Sequence, residues 1–221
     1  MILAGKILAF QSALKLEANL PKHVEVMNPY QDKIAAALCE QFYKKFYSDD
    51  EERTVILGIN PGRFGGGITG IPFTDPVKLE ELGFENDLQK KRELSADFIY
   101  QMIDACGGPE KFYRRFYFSA ISPLGFIKNG KNLNYYDVIG LPEVLEPFMI
   151  ECLNEQLGWG LNKKICYCLG EGDNYKFLKK LNERYNFFEE IVPLPHPRFI
   201  MQYRRKKLPD YISHYKEKLF A

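Results

Sequence analysis

Four short apolar runs, separated by stretches in which apolar residues recur at helical spacing, set the pattern of the chain. The first, Thr54-Val55-Ile56-Leu57-Gly58-Ile59, is mostly β-branched and predicts a strand buried on both faces, as in a parallel sheet. Phe116-Tyr117-Phe118-Ser119-Ala120-Ile121-Ser122, stopped by Pro123, predicts a second strand, residues 165–169 a third and residues 190–194 a fourth. Ile7, Phe10 and Leu14 predict a helix over 2–19, and His23 with residues 24–27 reads as a connector. Asn28 followed by Pro29 reads as an N-cap with proline at the first helical position, opening a helix to about residue 47 with Ile34, Leu38, Phe42 and Phe46 on one face. Further helices are predicted over 95–106, ended by Gly107-Gly108, and over 109–115, 173–185 and 208–220. Another, over 141–157, opens at Pro142 and is kinked or reset near Pro147. Residues 75–93 read as a polar surface excursion with at most a short helix, and 129–134 as a turn-rich loop. Strands alternating with helices predict an α/β fold: a three-layer α/β/α sandwich around a central, mainly parallel four-stranded sheet.

Composition narrows this picture. With 221 residues, 46% of them hydrophobic, the chain can bury its own core as one domain over 1–221. A net charge of +1 excludes a strongly basic, histone-like binder. The charge is polarised, however, because residues 194–221 carry seven basic side chains against Asp210 and Glu217, a local balance of +5. Five scattered cysteines without a C-x-x-C pair argue against a disulfide framework, and Cys166 and Cys168 read as small core residues of a strand. The N-terminal stretch, interrupted by Lys6, Gln11 and Lys15, resembles neither a signal peptide nor a membrane span. The expectation is a cytoplasmic monomer with no membrane partner.

Candidate chemistry gathers at the strand ends. Open parallel sheets bind ligands beyond the carboxyl ends of their strands, so Asn60, set where Asn60-Pro61-Gly62 stops the first strand, points into the expected site. The loop that follows holds Gly62, Gly65, Gly66, Gly67 and Gly70, which either let backbone N–H groups approach a ligand or merely turn corners. Gly65, Gly67 and Gly70 fit the dinucleotide spacing G-x-G-x-x-G, but they lie well past the strand and lead into Ile71-Pro72-Phe73, not a helix. A Gly-Lys-Ser/Thr phosphate loop is absent. Gly170-Glu171-Gly172 opens a helix whose N-terminus could hold a phosphate, although Glu171 and Asp173 would cap and neutralise it. His196, between Pro195 and Pro197 just past the fourth strand, is either a functional imidazole on a stiff backbone or a histidine filling one hydrogen bond in a rigid turn. His23 and His214 sit in polar surroundings and read as surface residues. Neither Ser119 nor Ser122 comes with a nucleophile elbow or partner acid. An amide and an imidazole at neighbouring strand ends can orient a water and stabilise a developing anion, which suits a leaving base that departs as an anion.

These residues carry a resemblance. Leu57-Gly58-Ile59-Asn60-Pro61-Gly62, with Phe64-Gly65 and Thr69-Gly70-Ile71-Pro72-Phe73, closely resembles the first motif of the uracil-DNA glycosylase superfamily, in particular its single-strand-selective monofunctional branch. Residues 116–124, then Gly130-Lys131-Asn132-Leu133, are similar to that branch's middle segment, and His196-Pro197 to its last motif. The resemblance implies a cofactor-free, metal-free enzyme that flips a uracil or related deaminated base out of DNA and hydrolyses its N-glycosidic bond. It implies that Asn60 positions the attacking water and that His196 stabilises the departing base anion. Phe73 would stack on the base, Gly62 and the backbone near Phe64 would line its edge, and the segment from Arg198 onward would fill the gap left in the stack.

Two departures matter. The branch has an asparagine on the middle strand that reads the Watson–Crick edge of uracil, and Ala120 stands there; Ser119, Ser122 or backbone groups would have to substitute. His196-Pro197 runs directly into Arg198-Phe199-Ile200, which leaves either Arg198 or Phe199 as the wedge. Arg204-Arg205-Lys206-Lys207 follows, suited to phosphate contacts or simply solvated, and Tyr203 could stack or pack. Two other classes remain open at this level: a non-catalytic nucleic-acid-binding module with a degenerate pocket, and a hydrolase of free nucleosides.

Overall fold

The computed structural model describes residues 1–220. The chain opens with α1 (Leu3–Ala13), β1 (Val24–Met27), a 3₁₀ turn at Pro29–Gln31, α2 (Lys33–Phe46) and β2 (Thr54–Gly58). The glycine loop contains a single turn of helix, α3 (Gly66–Thr69), and is followed by α4 (Pro76–Glu81), α5 (Leu94–Ala105), α6 (Pro109–Tyr113) and β3 (Phe116–Ala120). The hairpin β4 (Gly125–Lys128) and β5 (Lys131–Leu133) leads to α7 (Leu141–Leu157), β6 (Ile165–Leu169), α8 (Asp173–Tyr185) and β7 (Glu190–Leu194). Helix α9 (Pro197–Tyr203), a 3₁₀ turn at Arg205–Lys207 and α10 (Leu208–Leu219) complete the described fold. Among the described residues no helix is long and apolar enough to cross a membrane.

The four apolar runs form one parallel sheet in the order β3-β2-β6-β7. Helices cover both faces, which is why the runs show so little polar alternation. On one face Phe116 packs on Phe220 and the Tyr167 hydroxyl donates to the Lys218 carbonyl at 2.7 Å, so α10 lies there. On the other face Ser119 and Tyr117 both donate to Gln156 Oε1 of α7, at 2.6 and 3.3 Å. Cys166 and Cys168 are fully buried within the sheet. The chain leaves β2 for β3 on one side and then crosses to β6 on the other, so the strand order reverses at β2, and a ligand crevice belongs beyond its carboxyl end. Asn60 stands two residues past that end.

Several boundaries differ from the sequence expectation for identifiable reasons. Residues 24–27 are not a connector: they pair antiparallel with β4, whose hairpin turns at Asn129-Gly130 with φ of 51° and 69°, and the three strands form a second sheet. Asn-Gly with two left-handed residues is the common tight hairpin turn, present in a segment read only as loop. Asn28 caps only the 3₁₀ turn, accepting from the Tyr30 amide. Asp32 then caps α2 through the Ile34 and Ala35 amides. That register leaves Ile34 half exposed and turns Ala35, Leu38, Cys39, Phe42, Tyr43 and Phe46 inward. Helix α1 ends at Ala13, six residues before the predicted limit, and α7 runs on through Pro147 without a reset. The segment after His196, for which no helix is predicted, forms α9.

Gly70 closes α3 with φ +74°, and a Cβ there would lie 2.5 Å from Cys39 Sγ. Gly83 has a similar φ of +87° but open space around it. Urea unfolding of Gly70→Ala should therefore show a loss of about 2–4 kcal/mol, strain plus overpacking, against about 1–2 kcal/mol for Gly83→Ala from strain alone. Equal losses for the two would show that the glycine loop tolerates displacement by Cys39.

Candidate active site

A cleft of about 840 Å³, its open mouth included, lies beyond the carboxyl ends of β2 and β3. Asn60 and His196, 136 positions apart in the chain, both line it. The Asn60 amide is locked by backbone: Nδ2 donates to the Leu133 carbonyl at 3.1 Å and, more weakly, to Pro61 O at 3.4 Å, while Oδ1 accepts from the Tyr135 amide at 3.0 Å. Both donors are thus spent and one Oδ1 lone pair remains. Asn60 can therefore orient a water only by accepting one of its hydrogens.

His196 is the N-cap of α9, where its Nδ1 accepts from the Arg198 amide at 3.2 Å. That bond places the ring proton on Nε2. Burial against the cleft walls, reinforced by the Arg198 charge, lowers the imidazole to about 4. At neutral pH it is an uncharged donor, able to hydrogen-bond a developing oxyanion without presenting a cation to the solvent-poor cleft.

Phe73, at φ +55°, also lines the cleft and packs on Phe118 at 5.4 Å between ring centroids, with the His196 ring at 6.5 Å. Gly58 makes room for it, since a Cβ there would lie 2.7 Å from Phe73 Cζ. Ala120, level with Gly58 in the sheet, also lines the cleft. Ser119 points to the other face of β3, where it lines the inner end of the cleft beside Tyr117 and gives its hydroxyl to Gln156. Ser122 is fully buried outside the cleft lining, donating to the Leu124 carbonyl at 2.9 Å. The inner end of the cleft is polar, with Tyr30, Tyr43, Tyr117 and the buried Gln11, whose Oε1 has no hydrogen-bond partner among the described residues.

Gly62 borders the cleft, but the Phe64 ring lies outside its lining, held between the Lys91 ammonium at 3.5 Å and the Arg63 guanidinium at 4.4 Å. Asn132 of β5 accepts from the Arg63 amide at 3.0 Å and ties the glycine loop to the small sheet. Arg198 stands exposed at the mouth. Phe199, 41% exposed, lines a shallower groove beside it with Tyr203 and lies under the Arg204 guanidinium at 5.3 Å. Arg205 and Lys206 are exposed on the turn that follows α9.

One cleft residue carries no signal in the sequence. Glu93 lies in the polar stretch before α5, yet its carboxyl reaches the glycine loop: a Cβ on Gly62 would lie 2.8 Å from Oε1, and one on Gly65 would collide with Oε2. Those two glycines thus make room for a protein side chain. Burial, with the nearby Asp75 carboxylate adding to it, raises Glu93 to about 7 against the opposing pull of Arg198.

The family model for the uracil DNA glycosylase superfamily matches residues 45–220 of the chain. The crystal structure of wild-type SMUG2 from Pedobacter heparinus is similar over 99% of this chain and 97% of that one, with 45% sequence identity and a TM-score of 0.96.

Nitrogen-15 NMR of the imidazole side chains should find His196 neutral, protonated on Nε2, and titrating near 4. A His196 resonance that titrates near 6.5, or one protonated on Nδ1, would contradict the capping bond and the desolvated ring.

Proposed function

The chain belongs to the uracil DNA glycosylase superfamily, in the SMUG branch that the Pedobacter structure represents, and from that membership we propose how it removes a base. It is a hydrolase of the N-glycosidic bond in DNA. The substrate we propose is uracil or a related deaminated base, extruded from the strand because its glycosidic carbon is unreachable within a stack. The observation that carries the reading is the pairing, on one cleft, of an amide left with a single free acceptor and an imidazole held as a neutral donor.

In this reading the extruded base lies against Phe73, and the remaining lone pair of Asn60 Oδ1 holds the water by one hydrogen. As the bond from C1′ to the base nitrogen breaks, the electron pair moves onto the base, and the charge that collects on a carbonyl oxygen meets His196 Nε2–H. A donor of this kind is worth about 10²–10³ in rate. Arg198 at the mouth, with Phe199, Arg204, Arg205 and Lys206 beyond it, would take the backbone and the gap in the stack, so affinity should fall with salt. Ala120 offers neither donor nor acceptor from its side chain, so no side-chain amide reads the base edge there. Discrimination worth about 1–3 kcal/mol is lost wherever such a contact would have penalised a mismatched base.

Incubation with a uracil-containing single-stranded oligonucleotide should create alkali-labile sites. Asn60→Ala and His196→Gln should each slow single-turnover excision by about 10²-fold or more while the melting temperature shows that the variant is folded. A folded wild-type protein that leaves oligonucleotides carrying uracil, hypoxanthine and xanthine all intact would refute the reading.

A further inference from the structure

Neither Asn60 nor His196 can take a proton from the attacking water. The amide is not basic, and the His196 Nδ1 lone pair is committed to the Arg198 amide. The phenols of Tyr30, Tyr43 and Tyr117 at the inner end are held protonated by burial. Arg198 is a cation. Of the ionisable groups that line the cleft this leaves Glu93.

Its placement is built. Asp75, fully buried, accepts from the Lys78 amide at 2.9 Å through one oxygen and from the Glu93 amide at 2.7 Å through the other, which pins the Glu93 backbone at the entry to α5. The side chain then extends over Gly62 and Gly65, two and five residues past Asn60, and its carboxyl has neither a hydrogen bond nor an ion pair among the described residues. The charged groups acting on it are Asp75 behind it and Arg198 across the mouth. Its other basic neighbours are turned elsewhere: Arg63 bonds the Gly130 carbonyl, Lys91 sits on Phe64, and Arg92 pairs with Glu81 and Asp97.

We propose that Glu93 is a further catalytic residue, the general base that receives the proton of the attacking water. The inference rests on the glycosylase reading above. One water hydrogen is held by Asn60 Oδ1 and the other by a Glu93 oxygen, so that an oxygen lone pair is left to form the new bond at C1′. The O–H bond to Glu93 breaks as the C1′–O bond forms, its electrons staying on oxygen. The base leaves with the pair of the broken glycosidic bond, and the proton on Glu93 later passes to solvent or to the departed base. A carboxyl titrating near 7 is ionised often enough to accept a proton at neutral pH and basic enough to hold it briefly.

Single-turnover excision of uracil from a single-stranded oligonucleotide, followed from pH 5 to 9, tests this. The wild-type rate should rise with pH and level off with a midpoint near 7, because only the ionised carboxylate accepts a proton. Glu93→Gln should be about 10²-fold slower at the plateau and lose the acid limb, with oligonucleotide affinity unchanged. Glu93→Asp, one methylene shorter, should be about 10-fold slower and keep a limb at a shifted midpoint, and it decides the matter should the glutamine variant fail to fold. Wild-type rates in either folded variant, or a slow glutamine variant that retains the limb, would overturn the assignment while leaving the glycosylase reading intact. A wild-type protein that releases no base would overturn that reading and this inference together.

Discussion

The three hydrogen bonds of the Asn60 amide are the joint on which the cleft depends. They tie the carboxyl end of β2 to the carbonyls of Pro61 and Leu133 and to the Tyr135 amide, and so lock the end of the parallel sheet against the end of the antiparallel one. Each such bond is worth only about 1 kcal/mol net, but leaving any of these groups buried and unpaired would cost about 1–3 kcal/mol. The amide is therefore held in one orientation, and its chemistry follows from what is left over: one acceptor and no donor.

The cleft sets two protonation states by the same means. Burial drives the His196 imidazole towards its neutral form and the Glu93 carboxyl towards its protonated form, because both charged states lose water there. The outcomes differ because their reference values differ. The imidazole ends well below neutrality and becomes a fixed donor. The carboxyl ends near neutrality and remains able to change state. Arg198 acts on both, pushing the imidazole further down and restraining the rise of the carboxyl, so a single exposed guanidinium at the mouth biases both groups.

The glycines have a second use in this setting. A loop rich in glycine reads most simply as backbone brought close to a ligand. At Gly58 the missing side chain instead admits the Phe73 ring, and at Gly62 and Gly65 it admits the Glu93 carboxyl. Only Gly70 among these four also adopts a left-handed conformation, as the cap of α3. The end of β2 and the loop thus leave room for two side chains, Phe73 from the loop's far end and Glu93 from the segment before α5.

The amino-acid sequence alone determined the four strands of the parallel sheet, because strands buried on both faces are continuous apolar runs that local pattern reveals, although β2 and β3 stop one and two residues short of their runs; it placed Asn60 and His196 because each closely follows such a run. The small antiparallel sheet escaped: its strands are short, and the partner of β1 lies about a hundred residues further along the chain, so only the Asn129-Gly130 turn of the β4–β5 hairpin left a local trace. The direction of Ser119, the exclusion of Ser122 and the Phe64 ring from the cleft lining, and the arrival of Glu93 over the glycine loop were decided by tertiary structure. Periodicity reports which residues face a core. Which polar groups from distant segments share a desolvated space depends on how packed elements meet, and that is written in no single stretch of the chain.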